Sequence, residues 1–438
     1  MSYFSSIDTS IVMESSSIIH RITVTDIVRR MLNCFDFPES FLPILECLPQ
    51  CGDSPKLRHW VSVSTSLLRS KLKSLDPDPR FIAHFFVDSL EAGRIAELHA
   101  LRALEIVVED CITRGKEFSW SDPTIQGPRT FNIWGVGTMF TSGPAHGIDV
   151  NLSTSILMLR LGGATVSTVT NSQRDSTTIT GEASFTPTLN VPTLHGNAIL
   201  PLDVAGLADS YHSNAPIIRG IDANLQWVRV LREAVEIVAE QDRETAQDCL
   251  RLAPAVLALH AGGTSYGSSS PQEVMGLVFL PGVSDPFDVA ECLVHEALHQ
   301  KLFRVEEGSP LFNEEHGDEE IYYSPWRSDA RPLRMLVHGA FVFAGVAHHW
   351  QSIFGRAKDA DAMNGAAFHC YYRARQAQIA MDIVDRFDHR TAMGNTVSRI
   401  ISDGVQQALG HIDVPPTVRS EAERRIDEHR SRFNRFIA

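Results

Sequence analysis

Apolar positions recur at helical spacing over most of the chain. In the first half the strongest stripe lies in 79–114, where Leu101, Leu104 and Val108 surround Glu105. Further helices are predicted over 25–34, 54–75, 224–240, 244–259, 288–305, 333–354, 366–387, 391–409 and 418–436. The Ser- and Thr-rich start, Met1–Ser17, is predicted to be mobile. The pattern therefore predicts a chain that is mainly helical.

From Phe118 to about Leu207 the helical spacing gives way to an alternation of apolar and polar positions. Runs such as Ile148–Leu152 and Leu157–Leu161 alternate apolar and polar positions in a stretch rich in Gly, Thr, Ser and Val, which is typical of an antiparallel sheet. The predicted fold class is α+β, mainly helical, with a β-rich region in the first half and a helical C-terminal half. Three regions follow from this: a helical one at 1–117, a β-rich one at 118–223 and a helical one at 224–438.

Composition narrows the classes of partner. The 438 residues carry a formal net charge of −14 and no long basic run, which argues against nucleic-acid binding. Seven scattered cysteines without a C-x-x-C pair fit reduced thiols better than a disulfide framework. The start of the chain lacks a signal-peptide pattern, and no apolar run approaches the length of a membrane span. We therefore expect a cytoplasmic protein without a membrane or nucleic-acid partner; the oligomeric state is not indicated.

An H-E-x-x-H pentad, His295–His299, lies inside the helix predicted over 288–305. Asp288 is the predicted N-cap of this helix, with Glu291 three residues later as in a capping box, and a strand-like run, Val274–Leu280, precedes it. Residues four apart share a helix face, so both imidazoles can reach one metal ion, with Glu296 beside them to take a proton or orient a water. The pattern predicts a helical, metal-binding C-terminal half, although imidazoles suit zinc, iron, copper and nickel alike.

A two-histidine helix needs a third protein ligand, and the sequence offers several. His338, 39 positions beyond His299, is favoured because it lies on the next predicted helix, which Pro332 is placed to open. The alternatives are His349, about three turns further along that helix, and the carboxylates of an acidic loop at 306–320, notably Glu314, Glu315, Glu319 and Glu320. His146 and His195 are predicted not to be ligands. The stretch Gly262–Ser270 lacks the ending of a phosphate-binding loop and is predicted to be a flexible connection or active-site lid.

Two arginines lie between the pentad and the candidate third ligand. Arg327 and Arg331 are framed by Tyr323 and Trp326, and a guanidinium offers a two-pronged match to a carboxylate. These residues suggest an organic acid held near the metal. The alternative is a pair of surface arginines bound to Asp329 or to the acidic loop.

Three motifs in order carry a resemblance to a known family. The pentad is followed by Tyr-Tyr-Ser-Pro-Trp-Arg-x-Asp-x-Arg-Pro-Leu and then by Leu-Val-His-Gly-Ala-Phe-Val-Phe. Over roughly residues 274–355 this order resembles the H-E-x-x-H-containing peptide-modification proteins encoded beside ribosomal peptide natural products. That family includes iron- and 2-oxoglutarate-dependent hydroxylases that act on side-chain β-carbons of precursor peptides.

The resemblance implies specific roles for the residues. Iron(II) would be bound by His295, His299 and His338, and the distal carboxylate of 2-oxoglutarate by Arg327 or Arg331, near Tyr323. Glu296 would orient a ligand or a water. The partner would be a precursor peptide, of which the sequence identifies neither the peptide nor the modified residue.

Two other functions stay open at this point. In a zinc metallopeptidase, Glu296 would be the general base that deprotonates the attacking water, and a glutamate of the acidic loop would complete the metal site. A non-catalytic peptide-binding scaffold would use any metal only for its structure.

Overall fold

The computed structural model describes residues 3, 6–35, 37–72, 95–127, 130–133, 136–141, 145–153, 156–161, 164–169, 178–181, 183–187, 189–200, 221–259, 267–313 and 321–437. The fold is α+β and mainly helical, with the antiparallel sheets in the first half and helices through the C-terminal half, which confirms the predicted class.

Within the described part of residues 3–113 the helices are α1 (Thr9–Cys34), α2 (Leu42–Cys47), α3 (Pro55–Leu72) and α4 (Ile95–Thr113). The prediction for the first 34 residues was wrong, because α1 begins far ahead of residue 25 and includes part of the segment predicted to be mobile. Asp8 caps it by accepting hydrogen bonds from the backbone N–H groups of Ser10 and Ile11. Buried side chains recur along the whole helix, from Val12 to Met31, and supply the packing that propensity alone lacks. Residues 79–94 of the predicted helix lie outside the described residues.

The described residues of the β-rich region form ten strands. They are β1 (Phe118–Gly127), β2 (Thr130–Ile133), β3 (Gly137–Thr141), β4 (Ala145–Leu152), β5 (Ile156–Leu161), β6 (Ala164–Val169), β7 (Thr178–Thr180), β8 (Ala183–Pro187), β9 (Leu189–Thr193) and β10 (Gly196–Leu200). An antiparallel sheet of order β1-β4-β5-β6-β7 lies beside a three-stranded one of order β2-β3-β8. On β5 the alternate residues Leu157, Leu159 and Leu161 are buried in a core shared with α4, as the alternation predicted.

A four-stranded sheet connects the two halves of the chain. After α5 (Ile221–Gln241) and α6 (Arg243–Leu252), the parallel strands β11 (Ala255–Leu259) and β12 (Leu277–Pro281) extend the β9–β10 hairpin. The prediction of one helix over 244–259 was wrong in its second half. Pro254 cannot continue a helix, and the five residues after it are all buried, so they pair as a central strand.

The C-terminal half consists of α7 (Pro286–Gly308), a short β13 (Ile321–Tyr322) and β14 (Arg331–Pro332) pair, α8 (Leu333–Phe354), α9 (Ala360–Val384), α10 (Ala392–Gly410) and α11 (Pro416–Ile437). Their apolar faces form one core with α5, α6, β11 and β12, while α1 to α4 and the five-stranded sheet enclose another. Among the helices that the structure describes, none is both long and apolar enough to cross a membrane.

Candidate functional site

The helix that carries the pentad begins earlier than the sequence pattern predicted. Asp285, not Asp288, is the N-cap: its side chain accepts from the backbone N–H of Phe287 at 2.8 Å, and Pro286 occupies the first turn. The helix ends at Gly308, so the start of the predicted acidic loop is helical. Glu314, Glu315, Glu319 and Glu320 lie outside the described residues.

Three imidazoles lie next to each other at the contact between α7 and α8. The ring centroids of His295 and His299 are 5.0 Å apart. His338 is wholly buried, and its ring lies 6.0 Å from that of His299, with the planes inclined by 16°. Phe303 packs against both His299 and His338. The helix pairing therefore brings the favoured third ligand beside the second histidine of the pentad.

Two glycines allow this close approach. A Cβ at Gly345 would lie 2.3 Å from Leu298 Cδ1, on the pentad helix, and one at Gly339 would lie 1.9 Å from Trp326 Cζ2. Trp326 fills the space over Gly339 and packs on Phe343, with their ring centres 4.9 Å apart. The ring centres of Phe343 and His295 are 5.2 Å apart. The Ser-Pro-Trp-Arg and Val-His-Gly motifs are therefore two sides of one packing contact beside the histidines.

The pentad histidines are held in the form that binds metals. Burial, together with the nearby Arg373 guanidinium, lowers the pKa of His295 to about 4. Burial also lowers the pKa of His299 well below its usual value, with His295 and His338 adding to the effect. Both rings are neutral near pH 7, and a neutral imidazole is a metal ligand. The Nδ1 atoms of His299 and His338 are buried and have no hydrogen-bond partner among the described residues.

The rings adjoin without converging on one point. In the part of the chain that the structure describes, His, Cys, Asp and Glu side chains form no group of three or more that could hold a metal ion as they stand. The donor chemistry nevertheless fits a first-row divalent ion, because three imidazoles adjoin and two of their nitrogens are buried with no hydrogen-bond partner in the described ranges. Binding a shared ion would require the rings to turn towards one another.

Glu306 joins this cluster from the end of α7, and sequence reasoning missed it. Its Oε2 lies 2.7 Å from Nε2 of His338, and Arg334 binds both of its oxygens, Nε to Oε1 at 2.9 Å and Nη2 to Oε2 at 2.7 Å. Burial by itself raises the pKa of Glu306, but the hydrogen bonds from His338 and Arg334 outweigh it and hold the pKa at about 2. The signal was its position seven residues after His299, which is two helical turns on the same face.

Glu296, the acidic residue of the pentad, points into the protein. It is 1% exposed, and Ser270 donates a short hydrogen bond to its Oε2. Burial raises the pKa of Glu296 to about 7, although hydrogen bonds from Ser268 and Ser270 lower it. Its Oε1 lies 3.9 Å from Nε2 of His295. A carboxyl group with this pKa can exchange a proton near neutral pH.

The end of the Gly-Ser stretch is anchored at this glutamate. Ser269 exchanges two backbone hydrogen bonds with Phe279 of β12, and Ser270 binds Glu296. Backbone pairing and a buried acceptor therefore hold these two residues against β12 and the pentad helix, and a flexible connection or active-site lid stays a prediction for the stretch. Residues 262–266 lie outside the described residues.

The three residues predicted to bind 2-oxoglutarate have partners elsewhere. Arg327 and Arg331 both bind Asp329, at 2.9 and 2.8 Å, and the Arg327 side chain is 54% exposed. The Tyr323 hydroxyl lies 3.0 Å from Nδ1 of His429 on α11. The structure thus pairs the arginines as the alternative interpretation expected, and their binding of a keto acid stays a prediction.

A different arginine lies beside the pentad. Arg373 of α9 donates from Nη2 to Glu291 Oε1 at 2.5 Å, and its Cζ lies 5.0 Å from the ring centre of Phe343, which contacts His295. Burial alone raises the pKa of Glu291, but Arg373 and other neighbours bring it down to about 2. The sequence pattern predicts Glu291 as part of a capping box. Its position one helical turn before His295 indicates instead that it lies on the same face as the site.

His349 and His195 have other neighbours in the part of the chain that the structure describes. His349 is buried beside Trp350, and neither ring nitrogen has a hydrogen-bond partner among the described residues. His195 bonds to Glu236 at 3.2 Å. The side chain of His146 lies outside the description.

No protein-family model matches the chain, and no curated protein is similar to it in sequence. The resemblance over 274–355 therefore rests on the order of its three motifs alone.

Proposed function

We propose that the chain is a cytoplasmic oxygenase that uses iron(II) and 2-oxoglutarate to hydroxylate a side-chain β-carbon in a ribosomally made precursor peptide. The observation that carries the proposal is the cluster of three adjoining imidazoles, from His295 and His299 on α7 and His338 on α8. Bound iron would supply activation of dioxygen, coupled to oxidative decarboxylation of 2-oxoglutarate, for insertion of oxygen into the C–H bond.

The ligand set supports an open metal site over a closed structural one. Three protein ligands are typical of sites in which the metal also binds substrate or water, whereas structural sites have four. Phe343 packs against His295, and Trp326 packs against Phe343, so apolar rings cover one side of the cluster. Such cover excludes water and protects a reactive centre from side reactions.

The carboxylates of 2-oxoglutarate need a cationic partner near the histidines. Arg327 or Arg331 would have to exchange Asp329 for the keto acid. Arg373 and His295 contact the same aromatic ring, that of Phe343. A guanidinium binds a carboxylate through two parallel hydrogen bonds, so each of these arginines offers suitable chemistry.

The test is metal analysis followed by turnover. Protein purified without oxygen and reconstituted with iron(II) is expected to retain stoichiometric iron after desalting and to convert 2-oxoglutarate into succinate. Iron retention without any succinate, with or without candidate peptide, would contradict the oxygenase proposal. Protein that retains no metal would instead agree with a peptide-binding scaffold.

A zinc peptidase is the second candidate, and Glu296 favours it. Its pKa of about 7 and the 3.9 Å separation of its Oε1 from His295 Nε2 suit a group that takes a proton from a water. Peptide cleavage by the zinc-loaded protein in the absence of any keto acid, lost in Glu296→Gln, would replace the oxygenase by this function.

A further inference from the structure

We infer that Glu306 is a positioning residue of the metal centre: it orients His338 and fixes which ring nitrogen offers a lone pair. The inference rests on the proposed function, because it requires that His338 bind a metal. It adds to the pentad and its third histidine a carboxylate with a defined role.

The contact is short and lies inside the protein. Oε2 of Glu306 and Nε2 of His338 are 2.7 Å apart, the His338 ring is wholly buried, and the Glu306 side chain is 6% exposed. Arg334 donates hydrogen bonds from Nε and Nη2 to the same carboxylate, and its Nη2 also donates to Gln272 Oε1 at 3.2 Å. The carboxylate is therefore also fixed by a guanidinium of α8 itself, one helical turn before His338.

This geometry determines the tautomer of the ring. A carboxylate bound to both nitrogens of an arginine fork is ionised and accepts hydrogen bonds only, so Nε2 of His338 must carry the proton that it donates to Glu306. A second proton on Nδ1 would be a buried donor without an acceptor, because Nδ1 has no hydrogen-bond partner among the described residues. The neutral ring thus presents the lone pair of Nδ1.

The arrangement matches what a ligand histidine requires. Histidines that bind metals nearly always donate their other ring N–H to a carboxylate, carbonyl or water, which fixes the ring and makes the ligand more basic. The two pentad histidines show no comparable carboxylate hydrogen bond among the described residues, since the nearest such contact of His295 is 3.9 Å long. Of the three rings, that of His338 has the strongest orienting contact.

The experiment is an anaerobic titration of the full-length protein with cobalt(II), followed by its visible absorption spectrum. Glu306→Gln keeps the size of the side chain and an amide oxygen that can accept from His338, but it removes the charge. We expect unchanged stoichiometry and an unchanged spectrum, with affinity weakened by about 10- to 100-fold, the usual cost of losing such a partner. Glu273→Gln, at an exposed position next to Gln272, is the matched control and should leave the affinity unchanged.

Three outcomes separate the possibilities. Equal affinities of wild type and Glu306→Gln would overturn the inference and make the carboxylate only a structural partner of Arg334. Loss of stoichiometric binding with a changed spectrum would overturn it differently, by making Glu306 a direct ligand. If the wild type itself binds no metal, the proposed function fails first.

A second variant covers the case in which Glu306→Gln does not fold. Arg334→Gln leaves the Glu306–His338 hydrogen bond in place and removes only the fork that fixes the carboxylate. We expect a weaker effect of the same sign on cobalt affinity, and unchanged affinity in this variant would also count against the inference.

Discussion

Gly339, the residue after His338, offers a test of how the site is packed. An alanine Cβ there would lie 1.9 Å from Cζ2 and 2.4 Å from Cε2 of Trp326, whereas real Cβ contacts are essentially never below 3.0 Å. The indole is rigid and already packs on Phe343 at 4.9 Å, so it has to move by about 1 Å or more as a unit. Gly339→Ala therefore forces Trp326 away from Phe343 or α8 away from the segment that carries the tryptophan.

The magnitude follows from two opposing effects. Alanine in a helix interior is more favourable than glycine by about 1 kcal/mol. Overpacking a filled site costs about 1–3 kcal/mol, and a contact with a rigid ring belongs at the upper end. We expect Gly339→Ala to lower the free energy of unfolding by about 2 kcal/mol. Gly365→Ala on α9, with no described atom within 4 Å of the added Cβ, should raise it by about 0.5–1 kcal/mol.

The assay is urea unfolding of the metal-free protein, followed by circular dichroism and by tryptophan fluorescence. A double-mutant cycle identifies the cause, because Gly339→Ala should be neutral or stabilising once Trp326→Ala has removed the clash. If Gly339→Ala still destabilises by about 2 kcal/mol in the Trp326→Ala background, the packing argument is refuted. A Gly339→Ala protein as stable as Gly365→Ala would refute it as well.

Three further predictions concern the chemistry of the site. His338→Ala should abolish stoichiometric iron binding while the far-UV circular dichroism stays unchanged; a variant that still holds iron would move the third ligand elsewhere. Arg327→Ala or Arg331→Ala should raise the KM for 2-oxoglutarate at least tenfold without changing metal content, and if only Arg373→Lys does so, the co-substrate is bound on the other side of the cluster. Burial lowers the pKa of His349 from 6.5 to about 4. As the pH falls from 6.5 to 4, His349 is protonated in the unfolded chain but not yet in the folded protein, so the free energy of unfolding decreases. His349→Leu should remove about 3 kcal/mol of that loss between pH 6.5 and pH 4, and an unchanged pH profile of unfolding would contradict the assignment.

The sequence predicted the elements better than their ends. Long apolar stripes predicted the C-terminal helices because amphipathic periodicity persists over many turns and is read from the chain alone. The end of the helix at Leu252 was missed because the apolar run continues past Pro254 into a fully buried strand. The N-cap at Asp285 was missed for a related reason: Asp285 and Asp288 both suit the role, and only the backbone shows which one accepts the N–H.

The candidate site was predictable only where its residues share a local pattern. His295 and His299 follow from helical spacing, and His338 from its place on the next helix. Glu306 could have been found from its position two helical turns after His299, whereas Arg334 and Arg373 reach the cluster through tertiary packing, which leaves no signature at short range. Charged residues on helices are usually solvated, and helical spacing points to a buried one only when it lies on the same helix as the pentad.

The placement of α7 depends on a buried polar cluster at the end opposite its N-cap. Arg58 on α3 binds Glu307 at 2.6 Å and both oxygens of Asp53 at 2.6 Å, while Arg304 reaches Asp53 at 3.4 Å. Buried ion pairs add little net stability compared with apolar packing, but their geometry fits only one arrangement of the partners. Because Arg304 and Glu307 lie on the helix that carries the pentad, the N-terminal helices fix how that helix is rotated. The direction in which the histidines face is therefore set in part by residues more than 200 positions earlier in the chain.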